Sequence, residues 1–254
     1  MELRLIRHAT MRFRYAARSF ITDPYLSAMH TRPSYRGLSR NPTAALPCPP
    51  HEAIARAEMA LISHLHSDHF DPAAQELLSK DLPILCQLED RSELESMGFH
   101  TVIPVTGAVD WEGITITRTP CQHGSGEVLE DMGRASGFVF SAAGEPTVYW
   151  VGDSIWYEGV ADVISRTQPD IIITHSCGAV WGDHIPIVMD AEQTVALCRA
   201  APSSTVVATH MEAVDHATVT REALRAYAEA HGIGARQLLI PLDGDTLFFE
   251  QALT

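Results

Sequence analysis

Nine consecutive residues decide the fold of this chain: Ser63-His64-Leu65-His66-Ser67-Asp68-His69-Phe70-Asp71. The apolar run Met59-Ala60-Leu61-Ile62 directly before them predicts a buried strand, and Pro72 directly after them marks the start of a helix. The stretch therefore lies where a strand turns into a helix, and it carries four potential metal ligands within six positions, in the order His-x-His-x-Asp-His.

This one segment can supply ligands to two adjacent metal ions. In an extended segment, residues two positions apart point to the same side, so His64 and His66 face one way. Asp68 and His69 follow as the chain turns into the helix and can reach a neighbouring position. A single histidine in a loop is usually only solvated, but four potential ligands in fixed order between a strand and a helix predict a metal site.

Three more potential ligands follow apolar runs elsewhere in the chain: His123, Asp153 and His210. Each alone is more often a cap or a satisfied polar group. Their repeated position at the end of a predicted strand, in a chain that already contains the motif, favours a shared site. A carboxylate such as that of Asp153 can bridge two cations through its two oxygens.

Short apolar runs alternate with helical stretches, which predicts an α/β fold. Predicted strands cover residues 59–63, 82–85, 114–117, 136–140, 148–151, 171–174 and 205–208. Asp190 caps a predicted helix over residues 190–200, and a second helix spans 219–231 before Gly232. Turns at 110–113 and 142–146 favour mixed sheets. Residues 30–50 are predicted to form a long surface loop, and loops of this length often face the substrate.

Composition narrows the function further. The chain has 254 residues, and 32 acidic against 18 basic residues give a net charge of −14, so nucleic acid and anionic membranes are poor partners. Five cysteines without a C-x-x-C pair indicate a reducing compartment. No run of 18 apolar residues or apolar leader is present, and we expect one domain over residues 1–254 in a cytoplasmic protein.

The ordered set of His64, His66, Asp68, His69, His123, Asp153 and His210 resembles the metallo-β-lactamase superfamily over almost the whole chain. The resemblance implies a four-layer αβ/βα sandwich of two mixed β-sheets flanked by helices. It also implies one metal on His64, His66 and His123, a second on Asp68, His69 and His210, and Asp153 shared. Asp23 matches a supporting aspartate of the family, and His8 matches a histidine of the ascorbate-6-phosphate lactonase-like branch.

The predicted chemistry is hydrolysis. Metal ions lower the pKa of bound water to about 7, so a hydroxide bridging two of them can attack a small ester, lactone or phosphodiester. Asp68 is the predicted proton acceptor and His184 the predicted proton donor to the leaving group. His175 is either a substrate contact or a strand cap, and His216, beside Asp215, either orients a ligand or only begins the next helix.

The sequence leaves alternatives open for both the cofactor and the reaction class. Zinc is the first choice for two divalent ions, although Mn²⁺ and Fe²⁺ also suit five histidines and two aspartates. Mononuclear iron on the same fold would instead give an oxidoreductase of the persulfide dioxygenase kind, which iron content and oxygen uptake would reveal. The expected partner is a small molecule, with anions allowed, and a homo-oligomer is compatible with the sequence.

Overall fold

The computed structural model describes residues 1–250, which form sixteen β-strands and seven α-helices. The first of two seven-stranded sheets has the order β16-β1-β2-β3-β4-β5-β6. Strands β16 to β3 pair antiparallel, and β3 to β6 pair parallel. Their bounds are β1 Glu2–Arg7, β2 Thr10–Tyr15, β3 Arg18–Thr22, β4 Met59–Leu61, β5 Ile84–Cys86, β6 Val102–Pro104 and β16 Thr246–Phe248.

The second sheet has the order β15-β14-β11-β10-β9-β8-β7. Strands β7 to β10 pair antiparallel, and β10, β11, β14 and β15 pair parallel. Their bounds are β7 Ala108–Trp111, β8 Ile114–Pro120, β9 Ser136–Ser141, β10 Val148–Trp150, β11 Ile171–His175, β14 Thr205–Thr209 and β15 Leu238–Leu239. A separate hairpin joins β12 Val180–Trp181 to β13 Ile185–Pro186.

The helices begin where capping side chains supply the first hydrogen bonds. Asp71, Asp190 and Thr220 each accept a bond from the backbone N–H three residues on, at the starts of α2, α6 and α7. The bounds are α1 Pro50–Ala53, α2 Pro72–Leu77, α3 Arg91–Ser96, α4 Val128–Met132, α5 Glu158–Thr167, α6 Ala191–Ala200 and α7 Arg221–Ala230. Within residues 1–250, no helix is long and apolar enough to span a membrane.

Alternating side chains divide the core into three layers. In β10, Val148 and Trp150 pack against the first sheet, whereas Tyr149 and the following Val151 pack against α5, α6 and α7. The first sheet behaves in the same way, because Phe20 faces inward and Ile21 packs towards α1, α2 and α3. Each large apolar side chain buried in these layers stabilises the fold by roughly 2 kcal/mol.

Two mixed sheets face each other with helices on both outer faces, so the predicted four-layer αβ/βα sandwich is confirmed. All seven predicted strands are present, with ends shifted by a few residues. The helix predicted over 219–231 begins at Arg221, because Thr220 is extended and its hydroxyl accepts the Ala223 N–H. Residues 30–49 form the expected loop, with one isolated bridge between Arg32 and Asn41.

Candidate metal centre

The seven predicted ligands converge at one edge of the sandwich, where strands of both sheets end. Residues 62–71 follow β4 of the first sheet, and the second sheet contributes a side chain after β8, β10 and β14. The ligand atoms of His64, His66 and His123 lie within 4.8 Å of one another, as do those of His8, Asp68, His69 and His210. We call the predicted ligands the floor: His64, His66, Asp68, His69, His123, Asp153 and His210.

Asp153 lies between the two groups of ligand atoms. Its Oδ2 is 3.2 Å from His69 Nε2 and 3.4 Å from His123 Nε2, and its Oδ1 is 3.6 Å from His210 Nε2. This position fits the expected shared ligand. Gly152 makes the turn possible, because its φ is +72° and a Cβ there would lie 2.6 Å from the Ser136 carbonyl oxygen.

Backbone and carboxylate groups orient the rings from behind. Asp23 accepts hydrogen bonds from the Ser63 N–H at 2.7 Å and from His69 Nδ1 at 2.7 Å, which is the supporting position expected for it. His123 Nδ1 donates to the Ile187 carbonyl at 2.8 Å. The Nε2 atoms of His69 and His123 therefore point towards the other ligand atoms of the floor. Metal-bound histidines are commonly oriented in this way, by a hydrogen bond from the ring nitrogen that does not bind the metal.

His175 supports Asp153 rather than lining the cavity. The Trp150 indole N–H donates to His175 Nε2 at 3.1 Å, and His175 Nδ1 lies 2.5 Å from Asp153 Oδ1. Indole is a donor only, so Nε2 is the accepting nitrogen and Nδ1 carries the proton given to Asp153. The strand cap, not the substrate contact, is the alternative that this geometry favours for His175.

His8 lies closer to the floor than the sequence indicates. Its Nε2 is 3.2 Å from Asp68 Oδ2, and its ring centroid is 3.4 Å from that of His210. Burial lowers the pKa of His8 to about 4, so the ring is neutral at pH 7 and able to donate to Asp68 or to bind a metal. His210 is also held from behind, with Nδ1 3.1 Å from Cys177 Sγ.

The donor set fits metal ions. His64 Nε2 is buried with no hydrogen-bond partner among the described residues, and His210 Nε2 lies only 3.2 Å from His69 Nε2. Two ring nitrogens at that distance need a cation between or beside them, or a proton on one ring. Although burial opposes it, Asp153 and Asp23 raise the pKa of His69 well above its usual range, so positive charge is favoured there.

The carboxylate of Asp153 is held in its ionised form by the histidines around it. Burial alone would raise the pKa of Asp153, but the neighbouring His69 and His210 hold it well below its usual range. Burial lowers the pKa of His64 well below its usual range and that of His66 to about 4. Neutral imidazole is the state in which His64 and His66 bind a metal, and a metal bound at His69 would displace the proton that Asp153 and Asp23 favour there.

A cavity of about 200 Å³ opens above the floor. Four floor residues line it, namely His66, Asp68, His123 and Asp153. The remaining lining residues, which we call the wall, are Tyr35, Ser67, Asp131, Met132, Trp181, Ile187 and His216. Of the wall, the sequence predicted only His216. Tyr35 belongs to the 30–50 loop expected to face substrate, whereas no local pattern marks Met132 or Trp181.

The structure does not bring His184 to the cavity, which argues against its predicted role as proton donor. His184 is exposed in the turn between β12 and β13, and its Nε2 contacts the Arg36 guanidinium. It is absent from the residues that line the cavity. The register of the hairpin explains this position. Trp181, which lines the cavity, pairs with Ile185, and His184 lies in the turn that extends away from this pair.

Comparisons with known proteins all point to one protein family. A model of the Beta-lactamase superfamily domain matches residues 18–211. The UPF0173 protein YddR of Bacillus subtilis (strain 168) is 32% identical over 255 residues, covering 98% of this chain and 100% of YddR. Several more distant relatives are named UPF0173 metal-dependent hydrolase. One of them, from Methanocorpusculum labreanum, is 31% identical over half of this chain.

Two solved structures resemble the chain along its whole length. The isothiocyanate hydrolase from Delia radicum gut bacteria has 34% identity and a TM-score of 0.94, covering 99% of this chain and 100% of that one. A possible metal-dependent hydrolase from Veillonella parvula DSM 2008 has 29% identity and a TM-score of 0.93, with 97% and 98% covered. Membership of the ascorbate-6-phosphate lactonase-like branch stays a prediction. The chain belongs to the metallo-β-lactamase superfamily.

Proposed function

We propose that this chain is a metal-dependent hydrolase that uses two divalent cations, zinc as the first choice, to cleave a compact, uncharged electrophile. One observation carries the proposal: the ligand atoms of the floor converge under the cavity, and the buried His64 Nε2 has no other partner among the described residues. Two structural neighbours that match the chain over nearly its full length carry hydrolase names, which supports the reaction class.

His64, His66 and His123 would hold one cation, Asp68, His69 and His210 the other, and Asp153 both. When bound, such cations supply an activated water at neutral pH and polarise the electrophile as Lewis acids. Asp68 lines the cavity and is the carboxylate that would accept a proton from the attacking water. His8, 3.2 Å from Asp68 Oδ2, would keep that carboxylate in position.

The lining of the cavity favours an uncharged substrate over a phosphodiester. It includes the carboxylates Asp68, Asp131 and Asp153 and no lysine or arginine, so an anion would meet positive charge only at the cations. Met132, Trp181 and Ile187 add apolar surface that suits an alkyl or aryl group. Esters and lactones have this character, and so do isothiocyanates, the class named for the neighbour with 34% identity.

An isothiocyanate would react by addition of water to its central carbon. The carbon–nitrogen bond of the adduct then breaks, and the products are a primary amine and carbonyl sulfide, so one water is consumed for each substrate. No electron acceptor is needed. The reaction is therefore within reach of the same residues that would cleave an ester.

Metal content is the first test. Protein purified without added metal is analysed by inductively coupled plasma mass spectrometry, beside His66→Ala and the matched control His100→Ala, whose exposed ring pairs with Asp81. We expect about two equivalents of zinc or manganese in the wild type and in the control, and less in His66→Ala. Absence of metal from all three after reconstitution would refute the proposal, and iron with oxygen uptake would favour the oxidoreductase.

Substrate class is the second test. The metal-loaded chain is offered benzyl isothiocyanate, an aryl ester, a lactone and an aryl phosphodiester, with His66→Ala as the control for background hydrolysis. We expect metal-dependent turnover of at least one uncharged compound and slow turnover of the phosphodiester. Turnover of the phosphodiester alone would contradict the assignment of an uncharged substrate.

A further inference from the structure

A single carboxylate holds the loop that covers one side of the cavity. Asp215 Oδ1 accepts hydrogen bonds from the Tyr35 N–H at 2.9 Å and from Asn41 Nδ2 at 3.0 Å. Asp215 Oδ2 accepts from the Ser34 hydroxyl and from the backbone N–H groups of residues 36, 38 and 39 at 3.2 to 3.3 Å. Residues 34–41 thus wrap around one side chain that is about 180 positions away in sequence.

The wrapped loop carries Tyr35 into the wall. The Tyr35 and Ser67 hydroxyls share a hydrogen bond of 2.7 Å, and Ser67 lies between the floor residues His66 and Asp68. A phenol both accepts and donates, so a bond received from Ser67 leaves the Tyr35 proton available to a molecule in the cavity.

His216 completes the polar part of the wall. Its ring meets the Tyr35 ring edge-on, with centroids 4.9 Å apart. The residue is only 6% exposed, and its Nδ1 is buried without a hydrogen-bond partner among the described residues. A polar nitrogen left unpaired in a buried wall is costly unless a ligand or water satisfies it.

We propose that Tyr35 and His216 form a subsite that binds the hydrogen-bonding heteroatom of the substrate, and that Asp215 is the positioning residue that seats Tyr35 there. The inference rests on the proposed function and narrows its substrate class to electrophiles with a nitrogen, oxygen or sulfur atom able to accept the phenol's hydrogen bond. Trp181 and Met132 belong to the same wall and would contact the apolar substituent of the substrate.

The test uses the full-length, cobalt-loaded chain and acetohydroxamic acid, a small chelator with acceptor oxygens that is uncharged in solution at neutral pH and binds metals as acetohydroxamate after losing a proton. Its dissociation constant is read from the visible absorption of cobalt, which does not require catalysis. The variants are Tyr35→Phe, Asp215→Asn and the double variant. The controls are Tyr227→Phe, whose ring stacks on His231, and Asp81→Asn, whose carboxylate pairs with His100 on the surface.

Loss of one hydrogen bond should weaken acetohydroxamate binding by Tyr35→Phe about 5- to 10-fold. Asp215→Asn should weaken it similarly, and the double variant should be no weaker than Tyr35→Phe, because Asp215 acts through Tyr35. Limited trypsin digestion should cut faster after Arg36 and Arg40 in Asp215→Asn but not in Tyr35→Phe. The controls should match the wild type in both measurements.

Any of four results would contradict the proposed subsite. Tyr35→Phe could bind acetohydroxamate as tightly as the wild type, or the losses of affinity could add in the double variant. Trypsin could digest Asp215→Asn no faster than the wild type, or the cobalt-loaded wild type could fail to bind acetohydroxamate. A chain that binds cobalt and acetohydroxamate but hydrolyses nothing in the substrate panel would instead count against the proposed function and leave the subsite standing. Tyr35→Phe removes one oxygen atom, so it gives a result even if Asp215→Asn folds poorly.

Discussion

The floor and the wall of the cavity are built in different ways. Floor residues follow strands of both sheets and are held from behind by buried partners such as Asp23 and His175. Wall residues come from a loop, a hairpin and a short helix, and Tyr35 and Trp181 are only partly buried. A rigid floor suits metal binding, which needs fixed geometry, whereas a wall on connections can change with little effect on the fold.

The largest effect is expected in the floor. His66→Ala removes a ring from the group formed with His64 and His123, so it should lower metal content and reduce hydrolysis about 10³-fold, the equivalent of several kcal/mol. Metal analysis and initial rates measure both effects. A His66→Ala protein with full metal and full activity would erase the distinction between the floor and the wall.

Acid should destabilise the metal-free floor. Burial lowers the pKa of His8 to about 4 in the folded chain, whereas an unfolded histidine titrates near pH 6.5. The unfolded state therefore takes up the proton first, and stability falls as pH drops from about 6.5 to 4, by about 3 kcal/mol for this residue. Urea unfolding of the chelator-treated chain at pH 7 and pH 4 should show a smaller loss in His8→Asn, and equal losses would contradict this role.

The supports behind the floor should matter less than the floor itself. Trp150→Phe removes the indole N–H that fixes the tautomer of His175, so metal affinity should fall roughly 10-fold. Trp111→Phe, in the same interior layer, controls for the change in packing. Competition with a chromogenic chelator gives the affinities, and equal values for the two variants would show that the tautomer is unimportant.

A change in the wall should alter substrate binding and leave the metal in place. Trp181→Ala removes apolar surface from the cavity, so KM should rise roughly 10-fold with unchanged metal content. Steady-state kinetics on the compound turned over by the wild type measures it. Loss of metal in this variant would mean that the wall supports the floor as well.

The smallest effect is expected outside the cavity. His184→Ala should change kcat less than twofold, because a general acid worth 10²- to 10⁴-fold must reach the substrate and His184 lies on an exposed turn. The pH profile of kcat measures this most directly. A hundredfold loss would restore His184 as proton donor and show that the hairpin closes over the cavity.

The same contrast explains how much could be predicted. The motif at residues 64–69 is local, and Asp153 and His210 are marked by the apolar runs before them, so the floor and the layers were predicted from sequence. Tyr35 depends on Asp215, about 180 positions away, and Trp150 reaches His175 only because β10 and β11 pair. Such contacts are decided by packing between distant segments, which no local pattern reports.

The pairing of β1 with β16 also has a consequence for how the chain matures. Glu2 lies opposite Phe248, so the edge of the first sheet is completed by a segment that is synthesised about 240 residues after β1. At ribosomal speeds of 5 to 20 residues per second, β1 waits roughly 10 to 50 s for its partner. His8, at the end of β1, accepts the His210 N–H through its carbonyl oxygen. Because His210 is one of the proposed ligands, the proposed metal centre can form only after residue 210 has been synthesised, so we expect metal binding to follow the folding of both sheets.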